Sequence, residues 1–146
     1  MKTMRLISYI EKVFNGLNNG SFKCIYIMVD VHNTILKPTF DKKETFEYFP
    51  YAKETLQLLS EKENIKLIMW TSSYDEKIQM YLKHFEENGI IFNFVNENKE
   101  YGNVSFACFD TKFYYDIGID DKFGFDAEND WKEIYTFLTK KLNFLR

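Results

Sequence analysis

The first residues whose types suit catalysis follow an apolar run near the start of the chain. The run Cys24–Val29 ends at Asp30, and the polar segment His32–Thr34 follows after one further residue. A carboxylate on the last residue of a buried strand lies at the carboxyl edge of a sheet, where open α/β folds place their chemistry. A carboxylate at that edge can attack a phosphate ester if a divalent cation screens the charges of both groups.

Three further features follow in order along the chain. They are an apolar run that ends in a threonine (Ile65–Thr71), a lysine (Lys112), and a run that closes in two aspartates (Tyr115–Asp121). Each feature alone has an ordinary structural interpretation: a strand-end cap, a solvated lysine, and a turn. Their order and spacing together favour a functional interpretation.

The set resembles the haloacid dehalogenase (HAD) superfamily of aspartate-nucleophile phosphohydrolases. The fingerprint of that family is a strand ending in DxDxT, a strand ending in Thr or Ser, a Lys, and an acidic pair that closes a later strand. The resemblance covers roughly residues 24–140. It implies an α/β fold, a HAD-like Rossmann-type three-layer sandwich with a mostly parallel central sheet and no separate cap domain. It also implies a hydrolase that acts on phosphoric monoesters.

The resemblance assigns roles to individual residues. Asp30 would be both nucleophile and metal ligand, Thr71 would bond the phosphoryl oxygens, and Lys112 would offset the charge gathered around them. The metal would be Mg²⁺, which prefers oxygen ligands. Its remaining protein ligands would be the backbone carbonyl of His32 and the carboxylate of Asp121. The supporting residues implied are Asp120 and Asp126 behind the metal, and Asn33, Thr34 and Ser72 around the phosphate.

Two residues depart from the family pattern. His32 stands where the second Asp of DxDxT protonates the leaving oxygen and then activates water, and Asn33 stands where Gly is usual. Histidine can act as acid and base near neutral pH, and Asn tolerates the left-handed backbone conformation. Two hypotheses stay open: a phosphomonoesterase that uses His32, and a catalytically impaired HAD-like binding or regulatory protein.

The rest of the chain alternates between strand and helix patterns, as βαβ units on a parallel sheet do. Right-handed crossovers would then place Asp30, Thr71 and Asp121 at one edge. Helices are predicted from about Pro50, over Asp75–Glu87, and around Trp131–Leu142. The strands predicted are Cys24–Asp30, Ile65–Trp70, Ile90–Val95 and Tyr115–Asp120.

An amphipathic helix is predicted within residues 1–20, because apolar residues recur there at helical spacing from Ile7 to Leu17. We expect it to pack on a single HAD-like domain, residues 21–146, although a partner-binding or dimer-forming helix is the alternative. Glu11 and Lys12 interrupt its apolar stretch, so no membrane association is predicted. The net charge of −3 argues against general nucleic-acid binding. Two cysteines without metal-site spacing are typical of a cytoplasmic protein with free thiols.

The substrate side of the site is predicted to be open, with the loop Pro38–Phe49 as a flap. An open site suits a nucleotide, a polynucleotide end or another phosphorylated molecule, and a small ester would need closure by a second subunit. Lysines near the flap, Lys37, Lys42 and Lys43, are either phosphate ligands or solvated charges. Loop aromatics either stack on a base or cover the core: Phe40, Phe46, Tyr48, Tyr101, Phe106 and Phe109.

Overall fold

A computed structural model describes residues 5–38 and 46–145. Four parallel strands form one central sheet in the order β3-β2-β1-β4. The predicted α/β class is confirmed: the protein is a Rossmann-like three-layer sandwich with an all-parallel central sheet flanked by helices. The strands are β1 (Ile25–Asp30), β2 (Ile65–Trp70), β3 (Phe94–Val95) and β4 (Ile117–Ile119).

Four α-helices connect or flank these strands. They carry apolar stripes that bury against the sheet, which is what stabilises short helices in a protein of this size. The helices are α1 (Leu6–Asn18), α2 (Ala52–Ser60), α3 (Asp75–Glu87) and α4 (Asp130–Thr136), and a π-helical turn (Phe137–Lys141) continues α4. None of the helices within the described residues is long and apolar enough to cross a membrane.

The register of the sheet brings the chemically interesting strand ends together. Asp30 pairs with Trp70 across β1 and β2, and Val29 pairs with Ile119 across β1 and β4. The residues that follow β2 and β4 therefore lie level with Asp30 at the carboxyl edge, as the sequence predicted.

The two faces of the sheet are covered differently. Odd-numbered residues of β1 and β2, such as Val29 and Leu67, join one large apolar cluster with all four helices. Tyr26, Met28 and Ile68 point to the other face, where aromatic residues of the segment 96–116 cover them. A right-handed return from β3 to β4 requires this segment to cross that second face. The third layer is therefore largely irregular and aromatic rather than helical.

Two predicted strands are shorter than expected because side chains replace backbone partners at their ends. Asn93 Oδ1 accepts the Leu67 N–H at 2.9 Å, just before β3. Asp116 Oδ2 likewise accepts the Tyr26 N–H at 2.8 Å, just before β4. These two bonds satisfy backbone N–H groups of β2 and β1 without a regular ladder of backbone–backbone hydrogen bonds. The other predicted strands, and the helix over Asp75–Glu87, match the structure to within one residue.

The predicted N-terminal amphipathic helix forms as α1. Ile10, Val13 and Phe14 are buried on one side of it, within the same apolar cluster as the strands. Tyr9 on α1 donates a hydrogen bond to the Asp116 carbonyl oxygen at 2.9 Å. The helix is therefore packed on the core of the α/β unit.

Candidate functional site

Three carboxylates meet at the carboxyl edge of the sheet. Asp30 ends β1, and Asp120 and Asp121 follow β4; one oxygen from each lies within 4.8 Å of the others. Asp120 is 3% exposed, and Asp30 and Asp121 are partly buried. This grouping brings both residues of the acidic pair to Asp30 at one edge of the sheet.

The local backbone after β4 explains how two consecutive aspartates face one point. Asp120 is extended, and its Oδ1 accepts the Lys122 N–H at 2.9 Å, which starts a short 3₁₀ turn over Asp121–Phe123. Gly124, at φ 92°, ends that turn in the left-handed region that favours glycine. Asp120 is thereby held by the turn, and Asp121 is directed towards β1.

The turn after β1 positions Thr34 between the carboxylates. Its hydroxyl lies 3.2 Å from Asp30 Oδ2 and 3.4 Å from Asp121 Oδ1, and it accepts the Asp121 N–H at 3.1 Å. Asn33 takes the left-handed conformation at φ 62°, so the turn predicted for this Gly-to-Asn departure is confirmed. Trp131 Nε1 also donates to the Thr34 carbonyl at 2.8 Å. Thr34, predicted near the phosphate, is buried and links the end of β1 to the turn that follows β4.

The Thr34 hydroxyl is expected to stabilise the site measurably. Thr34→Val should leave the Asp121 N–H buried without an acceptor, which costs about 1–3 kcal/mol of unfolding free energy. Thr34→Ser keeps the hydroxyl and should cost about 1 kcal/mol for the lost methyl group. Urea unfolding of the two variants distinguishes the effects. Equal destabilisation by both substitutions would show that the hydroxyl bonds contribute little.

The surroundings of Asp30 raise the pKa of its carboxyl group. Burial, and then the negative charge of Asp120, raise the pKa of Asp30 from 3.8 to about 7. A hydrogen bond between the Asp30 and Asp121 carboxyl groups raises it further, while the Thr34 hydroxyl opposes the shift. Without a counter-charge, the site therefore retains a proton near neutral pH.

This perturbed pKa predicts how the stability of the metal-free protein depends on pH. The folded state holds the Asp30 proton more tightly than the unfolded chain does, so the associated stability is present below pH 3.8 and is lost as pH rises through about 7. Asp30 is partly exposed, so solvent weakens this effect. We expect the contribution of Asp30 to the melting temperature to fall by roughly 4–8 °C as the pH rises across that range. Thermal unfolding in chelator, with Asp30→Asn as reference, measures that part. Parallel pH profiles for the two proteins would contradict it.

His32 is held by a residue of α3. Its Nε2 lies 2.7 Å from the Tyr81 hydroxyl, and the two rings meet edge to face with centroids 5.3 Å apart. Tyr81 is itself buried, in ring contact with Phe46 and Phe85. A buried residue of α3 therefore orients the His32 imidazole.

Thr71 lies at the end of β2 and is held through its backbone. The Asn96 side chain accepts the Thr71 N–H at 2.9 Å and donates to the Thr71 carbonyl at 2.8 Å. The Thr71 hydroxyl is 3.0 Å from Ser73 Oγ. Ser72, predicted as a phosphate ligand, is exposed between them. The loop between β2 and α3 thus presents hydroxyl groups at the same edge as Asp30.

Lys112 and Asp126 are not joined to the carboxylates. Lys112 is exposed, and its ammonium makes no ion pair or hydrogen bond with another described residue. The Asp126 carboxylate instead accepts the Glu128 N–H at 3.2 Å and the Asn129 side-chain amide at 2.8 Å. It thus organises the turn before α4, and no hydrogen bond within the described residues links it to the three-carboxylate cluster.

Several loop aromatics cover the core instead of the site. Tyr101 stacks on Tyr114 with ring centroids 3.9 Å apart, and Phe109 contacts both rings edge to face. Phe46 stacks on His84 at 3.9 Å. Lys37 pairs with Glu47 at 3.3 Å. Phe40, Lys42, Lys43 and the middle of the proposed flap lie outside the described residues.

Sequence reasoning missed Tyr81, Asn96 and Ser73. The helical period of α3 places Tyr81 on its buried face, but it carries no signal for the hydrogen bond to His32. Asn96 has a weak signal, because it follows an apolar run and adopts a left-handed conformation at φ 54°.

No protein-family model and no curated protein matches the chain. A solved structure of a conserved protein from Bacteroides thetaiotaomicron is similar, with a TM-score of 0.59 and 27% sequence identity. The match covers 81% of this chain and 92% of that one. The similarity therefore extends over most of both chains and supports the fold described above.

Proposed function

We propose that this protein is a Mg²⁺-dependent phosphomonoesterase of the HAD type, with Asp30 as the phosphate-accepting nucleophile. The observation that carries the proposal is the convergence of Asp30, Asp120 and Asp121, with one oxygen each within 4.8 Å of the others, at the ends of the two adjacent parallel strands β1 and β4. Perturbed carboxylates grouped at such an edge are typical of catalytic sites.

The residues present fit a magnesium ion. Three carboxylates supply the hard oxygen donors that Mg²⁺ prefers, and they lie close enough together for their oxygens to share one ion. Asp30, Asp121 and the His32 carbonyl oxygen would hold the ion, and Asp120 would add negative charge behind it. When bound, Mg²⁺ supplies charge neutralisation and orients the transferring phosphoryl group.

The chain's own residues account for both chemical steps. Asp30 attacks phosphorus and forms an acyl phosphate while the ester P–O bond breaks, and His32 gives a proton to the leaving oxygen. Neutral His32 then takes a proton from water. The resulting hydroxide attacks the phosphorus, releases phosphate and restores the Asp30 carboxylate.

The surrounding groups bind the phosphoryl oxygens. The exposed Ser72 hydroxyl and the neighbouring Thr71 hydroxyl follow β2 at the carboxyl edge and would donate hydrogen bonds to the phosphoryl oxygens, the latter in place of its contact with Ser73 Oγ at 3.0 Å. Lys112 is a cation without a described partner, so it is free to approach a phosphoryl group when substrate binds. Such preorganised donors stabilise charge that develops in the transition state.

Tyr81 is proposed to keep His32 in a productive orientation. Because Nε2 faces the Tyr81 hydroxyl at 2.7 Å, Nδ1 is the ring nitrogen left to exchange protons with substrate and water. Tyr81→Phe keeps the ring packing and removes this contact. We expect kcat to fall about tenfold with little change in KM. The same substitution beside His32→Asp should have little effect, and an equal loss in both backgrounds would assign Tyr81 a purely structural role.

The function is tested by phosphate release from nucleotides, sugar phosphates and phosphorylated oligonucleotides, with Mg²⁺ or with chelator. We expect release from at least one class, and only with Mg²⁺. If no ester is hydrolysed although Mg²⁺ raises the melting temperature, the impaired binding or regulatory protein is the correct hypothesis. A large gain of hydrolysis in His32→Asp would then locate the impairment at His32.

A further inference from the structure

A cleft of about 450 Å³ lies beside Gly118 of β4 and the segment that precedes this strand. Lys112, Phe113, Tyr115 and Gly118 line it, together with Tyr9 and Asp116. Its size is that of a small-molecule site, and aromatic walls with a few polar groups are typical of such sites.

A row of aromatic rings in contact with one another links the wall of the cleft to the carboxyl edge of the sheet. Trp70, the register partner of Asp30, contacts Phe113 with ring centroids 5.7 Å apart, and Phe113 contacts Tyr115 at 6.0 Å. A β-carbon at Gly118 would lie 3.3 Å from the Tyr115 ring and 3.8 Å from the Phe123 ring. The row therefore leads from the end of β2 to the turn that carries Asp121.

The polar groups of the cleft suit a planar heterocycle. Within the described sheet, β4 pairs only with β1, so the backbone N–H and C=O groups on its outer side have no strand partner. Lys112 adds an ammonium without a described partner. The negative charge of Asp116 is shared between the Tyr26 N–H at 2.8 Å and the Tyr114 hydroxyl at 2.6 Å, so it opposes ligand binding less than a free carboxylate would.

The distance from the cleft to the acidic pair along β4 indicates what kind of group would join a heterocycle in the cleft to a phosphate at Asp30. Asp116 and Gly118 precede Asp120 by four and two residues, which corresponds to about 7–13 Å along a strand. A ribose between phosphate and base spans a distance of this order. An aryl group bonded directly to the phosphate oxygen would end short of the cleft.

We propose that this cleft binds the base of a nucleoside phosphate, with the phosphate at Asp30. The inference rests on the proposed phosphomonoesterase function and names the substrate class of that site. The open outer edge of β4 supplies hydrogen bonds to the base, and the Phe113 and Tyr115 rings supply the apolar wall.

The test compares adenosine 5′-monophosphate with glycerol phosphate and with phenyl phosphate. We expect kcat/KM to be at least about tenfold higher for the nucleotide than for either other ester. Gly118→Ala narrows the floor of the cleft, and Phe113→Leu keeps apolar volume but removes a stacking face. Both should remove most of that preference and leave hydrolysis of glycerol phosphate unchanged. The matched control Phe106→Ala alters a ring that is 89% exposed and does not line the cleft.

Equal kcat/KM values for the three esters, or a preference that survives both substitutions, would overturn the proposal while the phosphatase function stands. If no ester is hydrolysed, the phosphatase function fails and the cleft is tested by binding alone. Trp70 is 38% exposed and contacts Phe113, whereas Trp131 is fully buried. Adenosine should therefore quench tryptophan fluorescence in the native protein and less in Phe113→Leu. Absence of quenching by adenosine would overturn the proposed cleft.

Discussion

Replacing Asp30 with asparagine is expected to abolish Mg²⁺-dependent phosphate release, with a loss of roughly 10³-fold or more. The amide has nearly the same shape, but it cannot form the acyl phosphate and is a poorer metal ligand. The measurement is phosphate release at saturating Mg²⁺ on the best ester found. Asp110→Asn is the matched control, because Asp110 is exposed and bonds Asn103 instead of the carboxylate cluster.

The same variant should be more stable than the native protein when metal is absent. Asparagine removes a carboxylate whose pKa is raised by burial and then by the negative charge of Asp120. We expect the melting temperature in chelator at pH 8 to rise by several degrees, or about 1–2 kcal/mol. A lower melting temperature would show that the lost activity reflects damage to the fold rather than loss of the nucleophile.

Replacing His32 with alanine is expected to slow turnover about 10²-fold or more, because the second step loses its base. With a phenyl ester whose leaving group needs no proton, the first step should still occur. The product would then appear as a burst of one equivalent per protein, followed by slow release of phosphate. Rapid-mixing kinetics on such an ester detects this pattern.

The chain offers a matched control for that experiment. His84, the other histidine, stacks on Phe46 on the far side of Tyr81 and is not part of the carboxylate cluster. His84→Gln should therefore leave the burst and the steady rate close to native values. A steady rate that His32→Ala leaves unchanged would remove His32 from the mechanism.

The sequence predicts the strands and the position of the carboxylates well, for physical reasons. β1 and β2 are largely buried on both faces and read as mainly apolar runs; β1 ends at Asp30, and Thr71 follows β2. The sequence also predicts that Asp30 and the acidic pair lie close together, because parallel strands in a sheet present their carboxyl ends at one edge. Asn33 could likewise be assigned to a left-handed turn from its residue type alone.

Contacts between distant side chains were not predictable in this way. Nothing in the local pattern around Tyr81 distinguishes a core tyrosine from one that bonds His32. Asn93 and Asp116 shorten β3 and β4 through side-chain bonds that strand propensity does not describe. The irregular aromatic layer over the second face also escaped prediction, since segment 96–116 has no helical period to reveal its packing.

The hydrogen bonds of Asp126 differ from those that its position in the sequence suggested. Its place shortly after the acidic pair suggested support for the metal, whereas its side chain bonds the turn before α4. Aspartate commonly has this role in turns, because its side chain accepts the backbone N–H two residues further along the chain. The short separation of Asp126 from the acidic pair in the sequence therefore did not predict which groups its side chain contacts.

The most direct test of the proposed mechanism is to look for phosphate bonded to Asp30. The protein is mixed with a reactive phosphate ester and Mg²⁺, quenched in acid, digested, and analysed by mass spectrometry. The proposed mechanism predicts one added phosphoryl group on the peptide that contains Asp30, in larger amount in His32→Ala and absent in Asp30→Asn. Turnover of the ester without any phosphorylated peptide, or a phosphoryl group on another residue, would contradict it.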